Sequence, residues 1–201
     1  MTARPEPRGD SELGARAART RAAILEASKQ LFLERGYDGT RITNITDACG
    51  ISRAGFYTYF KDKREIFNAL GETTYREVLE VTGEWDDLPR PCTRDDVLAW
   101  VRRYFAFLDR HGAFILSAQT APAEEDVRAA SSRMQMRVCW QLGVSLRSRQ
   151  EHPVDAPEAL GLAVQAMLDR AWYRCKVERL GLDHEDVLTT VATMIVSTLR
   201  A

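Results

Sequence analysis

Apolar positions recur three and four residues apart from about Ala17 onward, with Ile24, Leu25, Ala27, Ser28, Leu31 and Phe32 on one side. That spacing predicts an amphipathic helix. Gly36 ends it, because glycine tolerates the left-handed conformation of a helix exit. Two very short helices follow. Thr40 is placed to cap the first, which turns Ile42, Ile45, Ala48 and Cys49 inward and stops at Gly50. Ser52 is placed to cap the second by accepting a backbone N–H. After "KDK" a long helix runs from about Lys63 to Gly83, with Ile66, Phe67, Leu70, Thr74, Val78 and Val81 on one side. Beyond the two-proline loop "DDLPRPCTRDD", further helices are expected at about 94–110, 112–119, 123–150, 156–181 and 184–200, separated by "HGAF", "EHPVDAP" and "GLDHED". Strand signals are scarce. The pattern predicts an all-α chain: a disordered arm over 1–16, a three-helix head over 17–62 and a larger helical bundle over 63–201.

Composition narrows the classes. A chain of 201 residues with 45% hydrophobic positions can bury a sizeable core. No apolar run approaches the roughly 18 residues of a membrane helix. The charged, proline-containing N-terminus lacks the apolar centre of a signal peptide, so a cytoplasmic protein without a membrane partner is expected. Cys49, Cys92, Cys139 and Cys175 are far apart and form no CxxC; they read as small hydrophobes. His111, His152 and His184 are isolated, and neither a metal nor a cofactor is expected. The net charge is −1, but residues 1–63 carry +3 and the remainder −4. Any contact with phosphate therefore belongs to the N-terminal third.

The segment "SRAGFYTYF", Ser52 to Phe60, holds the most specific chemistry. Wound at about 100° per residue, Phe56 and Phe60 share a face. Ala54, Gly55 and Thr58 lie on the opposite side, and Tyr57 and Tyr59 fall on the flanks. The aromatics alone fit a buried knot in an ordinary helical domain. The context favours another reading. Two short helices around "CGIS" form a helix-turn-helix with Gly50 in the turn. A bare face bordered by tyrosine hydroxyls suits a helix that enters a DNA major groove, where a small side chain lets the backbone approach base edges. Arg53 is then placed for a bidentate contact to guanine and Thr58 for thymine or another base edge.

The stretch "ILEASKQLFLERGYDGTRITNITDACGISRAGFYTYFKDKREIFNAL" resembles the DNA-binding domain of tetracycline-repressor (TetR) family regulators over about 45 residues without a gap. Ala27, Phe32, Gly36, Tyr37, Thr40, Ile45, Ala48, Gly50, Ile51, Ser52, Tyr57, Tyr59, Phe60 and Lys63 carry the likeness, while Thr46 and Cys49 stand where alanines are common. The resemblance implies phosphate contacts at Thr43, Tyr59 and Lys63, a base-reading face of Arg53, Ala54, Gly55 and Thr58, a mixed contact at Tyr57 and a further contact at Arg41. Lys63 also reads as a solvated surface lysine. The arginines at 4, 8, 16, 19 and 21 fit either a minor-groove arm or a solubilising tail.

The C-terminal two-thirds has no catalytic constellation, and the chain is not expected to be an enzyme. Asp169 and Arg170, adjacent on a helix, read as surface or interface charges. The family resemblance implies that this half binds a small-molecule inducer and forms a homodimer, so that two heads address a roughly palindromic site on double-stranded DNA. Val97, Trp100, Val101, Tyr104 and Leu108 form one stripe, and Phe114, Met136, Trp140 and Gln165 are expected to complete an apolar or aromatic pocket; each also reads as core. For the dimer, Leu160, Val164, Leu168 and Trp172 with Val187, Val191 and Ile195 make a surface wide enough to be buried on two sides. The expected function is a ligand-released transcriptional repressor. An activator or a protein-controlled regulator would share the same head, and an enzyme or small-molecule carrier with a vestigial head is the remaining alternative.

Overall fold

The computed structural model describes residues 8–120 and 125–200. Among these the regular structure is helical: α1 (Arg8–Gly39), α2 (Ile42–Cys49), α3 (Arg53–Tyr57), α4 (Lys63–Gly83), a 3₁₀ turn (Glu84–Asp87), α5 (Arg94–Thr120), α6 (Glu125–Arg147), α7 (Pro157–Lys176) and α8 (His184–Leu199). The chain is all-α. The described residues form two compact units, one holding residues 8–71 together with 113–120, the other holding 72–112 and 125–200.

In the first unit, α1 breaks where glycine permits it. Gly36 has φ 72° and ψ 167°, outside helical values. The arm expected over 1–16 differs: residues 1–7 lie outside the described residues, and from Arg8 the chain is already helix. The core joins Ile24, Phe32, Ile45, Phe56, Phe60 and Ile66, one apolar stripe from each element. Phe67 of α4 meets Tyr37 at 5.0 Å and Phe114 at 4.9 Å between ring centroids. Fully burying each such aromatic contributes about 1.5–3 kcal/mol, enough for a small head with two very short helices.

In the second unit, α5 runs unbroken through "HGAF", where the sequence suggested a break between 110 and 112. The glycine serves packing. A Cβ on Gly112 would lie 2.1 Å from the Trp172 ring, so the indole of α7 rests directly on the α5 backbone. Its Nε1 donates to Asp109 at 2.8 Å. Helices α6 and α7 approach still more closely: a Cβ on Gly143 would fall 1.7 Å from the Pro157 carbonyl oxygen. Trp85 and Trp100 meet edge to face at 5.0 Å, and Trp100 Nε1 donates to the Val81 carbonyl at 2.8 Å. His111 bridges α5 to α4 within this unit, lying 3.1 Å from Thr74 Oγ1 and 2.9 Å from Glu77.

Candidate nucleic-acid interface

The turn between α2 and α3 is set by three residues. Gly50 adopts the left-handed conformation, φ 65°, which costs glycine no Cβ clash. Ile51 N then donates back to the Thr46 carbonyl at 3.1 Å. Ser52 Oγ accepts from Gly55 N at 3.0 Å and caps α3, as its position in the sequence suggests. The start of α2 is organised differently from expectation. Thr40 does not cap it; its hydroxyl donates to the Leu31 and Gly36 carbonyls and closes the end of α1. Arg41 occupies the cap position, and its N–H donates to Asn44 Oδ1 at 2.9 Å. The asparagine three residues into the helix was the available signal. Ala48, expected inside, is exposed; the buried residues of α2 are Ile45 and Thr46.

Helix α3 divides its faces as its sequence implies. Phe56 and Phe60 are buried, with 0% and 1% exposure. Arg53, Ala54 and Thr58 are exposed, Gly55 is half-buried and Tyr57 is open to solvent. Gly55 has a second physical reason: a Cβ there would lie 3.2 Å from Ser52 Oγ and crowd the cap. Arg53 Nη2 is 3.4 Å from the Tyr57 hydroxyl, with its guanidinium over that ring at 5.9 Å. The two side chains thus stand together along one edge of the open face. Tyr59 is half-buried against the core of the head. Arg41 and Thr43 are exposed on α2.

Lys63 is placed otherwise. Its ammonium donates to the Tyr37 carbonyl and, at 2.9 Å, to the Thr40 carbonyl, and lies 4.2 Å from the centre of the Tyr37 ring. Burial lowers its pKa below the usual lysine value. This geometry ties α4 to the end of α1. Arg16, Arg19 and Arg21 are exposed on α1, and Arg21 stacks over Phe60 at 4.9 Å. Arg4 lies outside the described residues.

The candidate ligand residues fall in different surroundings, although Tyr104 and Gln165 interact directly. Val97, Trp100, Val101, Tyr104 and Leu108 are core, none more than 1% exposed. Phe114 belongs to the first unit with Phe67. Met136 and Trp140 stand on the outer side of α6, along an open groove of about 580 Å³. Gln165 is half-buried and accepts from Cys139 Sγ at 3.3 Å. Asp169, read as a surface or interface charge, turns inward instead and accepts from the Tyr104 hydroxyl at 3.1 Å. Of the seven candidate dimer residues, Val164, Leu168, Trp172, Val191 and Ile195 are buried inside the protomer itself, while Leu160 and Val187 are half-buried. Their breadth serves the chain's own core. Among the described residues no group of three or more His, Cys, Asp or Glu is arranged to hold a metal ion, and no helix is long and apolar enough to cross a membrane.

A helix-turn-helix whose second helix is anchored by phenylalanines and bare on its far side defines a DNA-binding head. Residues 24–70 match the family described as bacterial regulatory proteins, tetR family. It is 45% identical over 56 residues to the HTH-type transcriptional repressor BepR of Brucella suis biovar 1 (strain 1330), covering 28% of this chain and 27% of that protein. To the HTH-type transcriptional repressor NemR of Escherichia coli (strain K12) it is 25% identical over 139 residues, 66% of this chain and 70% of NemR. The chain spans 27% to 38% of the length of the first curated relatives it matches. The TetR family transcriptional regulator PfmR from Thermus thermophilus shares the fold, with a TM-score of 0.69 at 19% identity, over 89% of this chain and 99% of PfmR.

Proposed function

We propose that this chain is a sequence-specific DNA-binding transcriptional repressor that leaves its operator when a small apolar or aromatic ligand binds the C-terminal bundle. The observation that carries this reading is the open face of α3. Ala54, Gly55 and Thr58 leave its backbone accessible while Phe56 and Phe60 hold it rigidly from behind. A helix so anchored can enter a major groove without loss of its own core. Arg53 and Thr58 then read bases, Tyr57 touches both base and phosphate, and Arg41, Thr43 and Tyr59 position the helix on the backbone. Two copies of the chain present two heads to a two-fold operator. In this reading the protein acts in the cytoplasm as a regulator and not as an enzyme, like the relatives named as repressors.

Release needs little energy. A 100-fold loss of operator affinity corresponds to about 2.7 kcal/mol of coupling between ligand and DNA. Helix α4 begins in the head and continues into the second unit, which makes it the element through which a ligand would act. The test is selection of bound fragments from random DNA, followed by titration of the selected site with wild type and Arg53→Ala. The variant is expected to lose about 1–3 kcal/mol and to relax one base position. Equal affinity and unchanged base preference would remove the assignment of α3 as the reading helix.

A further inference from the structure

Arg53 and Tyr57 are four residues apart on α3, a spacing at which helical side chains meet. The Arg53 guanidinium lies over the Tyr57 ring, 5.9 Å from its centre, and Nη2 donates to the Tyr57 hydroxyl at 3.4 Å. The tyrosine is held in turn. Its ring meets that of Phe56 edge to face, with centroids 5.4 Å apart and planes at 88°. Phe56 is fully buried in the core of the head. A line of contacts therefore runs from the core, through an aromatic ring, to an exposed cation.

The chemistry of that line favours one base. A guanidinium is a planar fork of N–H donors on a long side chain with many rotamers. Meeting two acceptors at once requires most of those rotamers to be given up. The ring and hydroxyl of Tyr57 restrict them before DNA arrives; a cation–π contact at an exposed site corresponds to about a two- to fivefold bias. A carboxylate in the same place would hold the fork too, but would occupy its donors and neutralise its charge. Among the described residues Arg53 joins no ion pair. Its remaining N–H groups and its charge stay available. Guanine offers the two adjacent acceptors, O6 and N7, that such a fork matches, whereas adenine sets a donor beside N7.

We infer that Tyr57 is a positioning residue for base recognition: it holds Arg53 so that the free edge of the guanidinium reads a guanine in each half-site. The inference rests on the reading of α3 as the helix that enters the major groove. It gives Tyr57 a role exerted through Arg53, beside any contact of its own with DNA.

The test uses the full chain and double-stranded DNA. Fragments selected from random sequence with wild type define the site, and selection with Arg53→Ala identifies the base that relaxes. Fluorescence anisotropy then compares the selected site with one carrying adenine at that base, for wild type, Tyr57→Ala, Tyr57→Phe, Arg53→Ala and the Arg53→Ala/Tyr57→Ala double variant. Wild type is expected to prefer guanine at least tenfold. Tyr57→Ala should cut that preference about two- to fivefold per half-site, with preferences at other bases unchanged, and Tyr57→Phe, which keeps the ring, should fall between. In the Arg53→Ala background, Tyr57→Ala should weaken both sites by the same factor. Should Tyr57→Ala lose its helical circular dichroism, Tyr57→Phe and its double variant with Arg53→Ala decide instead. A Tyr57 variant that weakens both sites equally while keeping the full wild-type preference overturns the inference. If Arg53→Ala relaxes a base other than guanine, α3 remains the reading helix and only this inference fails. If Arg53→Ala binds every site as wild type does, the reading of α3 fails with it.

Discussion

Two ionisable residues show how far a side chain's role depends on what surrounds it. Asp169 lies beside an arginine in sequence, yet its carboxylate is buried and accepts a hydrogen bond from Tyr104. Burial raises its pKa to about 6, against about 3.9 in an unfolded chain. The folded state therefore holds this proton more tightly. The stability tied to it is full below about pH 4 and is lost as pH rises through 6. The ionised carboxylate then costs on the order of 3 kcal/mol. Asp169→Asn, whose amide oxygen can still accept from Tyr104, should be more stable than wild type at pH 7.5 by an amount of that order, and the gap should nearly close at pH 4. Denaturant unfolding of both proteins at the two pH values measures this, and a pH-independent gap would refute the account. Lys63 is the converse case. Its ammonium is held on the Tyr37 and Thr40 carbonyls, so Lys63→Ala should cost about 1.5–3 kcal/mol, the range for hydrogen bonds to a charged group. Unchanged stability by the same measurement would return Lys63 to the surface.

Elements differ in how much of their making is local. The α2–turn–α3 unit was legible because its determinants lie within a few residues: Gly50 for the left-handed turn, Ser52 for the cap, and Phe56 and Phe60 one turn apart. Among the long helices, α4 was legible to both its ends, Lys63 and Gly83, whereas the continuity of α5 and the partners of each helix were not. Gly112 looked like a break because its partner, Trp172, is sixty residues away in sequence. Val164, Leu168, Trp172, Val191 and Ile195 were placed at a dimer surface because a sequence shows that a face is apolar but not which neighbour covers it. Asp169 was misread for the same reason. The contact of α6 with α7 shows the strength of such distant constraints. Gly143→Ala places a methyl group 1.7 Å from the Pro157 carbonyl oxygen, so the helices must separate. A loss of more than about 3 kcal/mol is expected, beyond the usual 1–3 kcal/mol of an overpacked core. Gly14→Ala is the control, since a Cβ there meets nothing within 4 Å and alanine favours a helix by about 1 kcal/mol. Thermal melts of the two variants should move in opposite directions, and a shared direction would contradict the close crossing.

At the scale of the molecule, a chain of net charge −1 must bind a polyanion through a local surplus. The first 63 residues hold +3, and the rest −4. Affinity for DNA falls with salt in proportion to the phosphates that the protein neutralises, with a slope of about 0.9 per contact. The structure limits which cations can contribute. Lys63 already rests on two backbone carbonyls, and Arg21 is stacked on Phe60. Arg41 is exposed beside the start of α2, next to Thr43. Arg41→Ala should therefore flatten the log–log salt dependence of operator binding by about 1 per head, or about 2 for a dimer. Lys63→Met should leave that slope unchanged at temperatures where it remains folded, lowering thermal stability instead. Fluorescence anisotropy with a selected operator between about 50 and 200 mM salt, the interval over which such slopes are large, separates the two variants. A reduced slope for Lys63→Met would mean that the ammonium leaves the carbonyls of Tyr37 and Thr40 for phosphate when DNA arrives. The head would then exchange an internal contact for an external one, and operator binding would be coupled to the junction of α1 with α4.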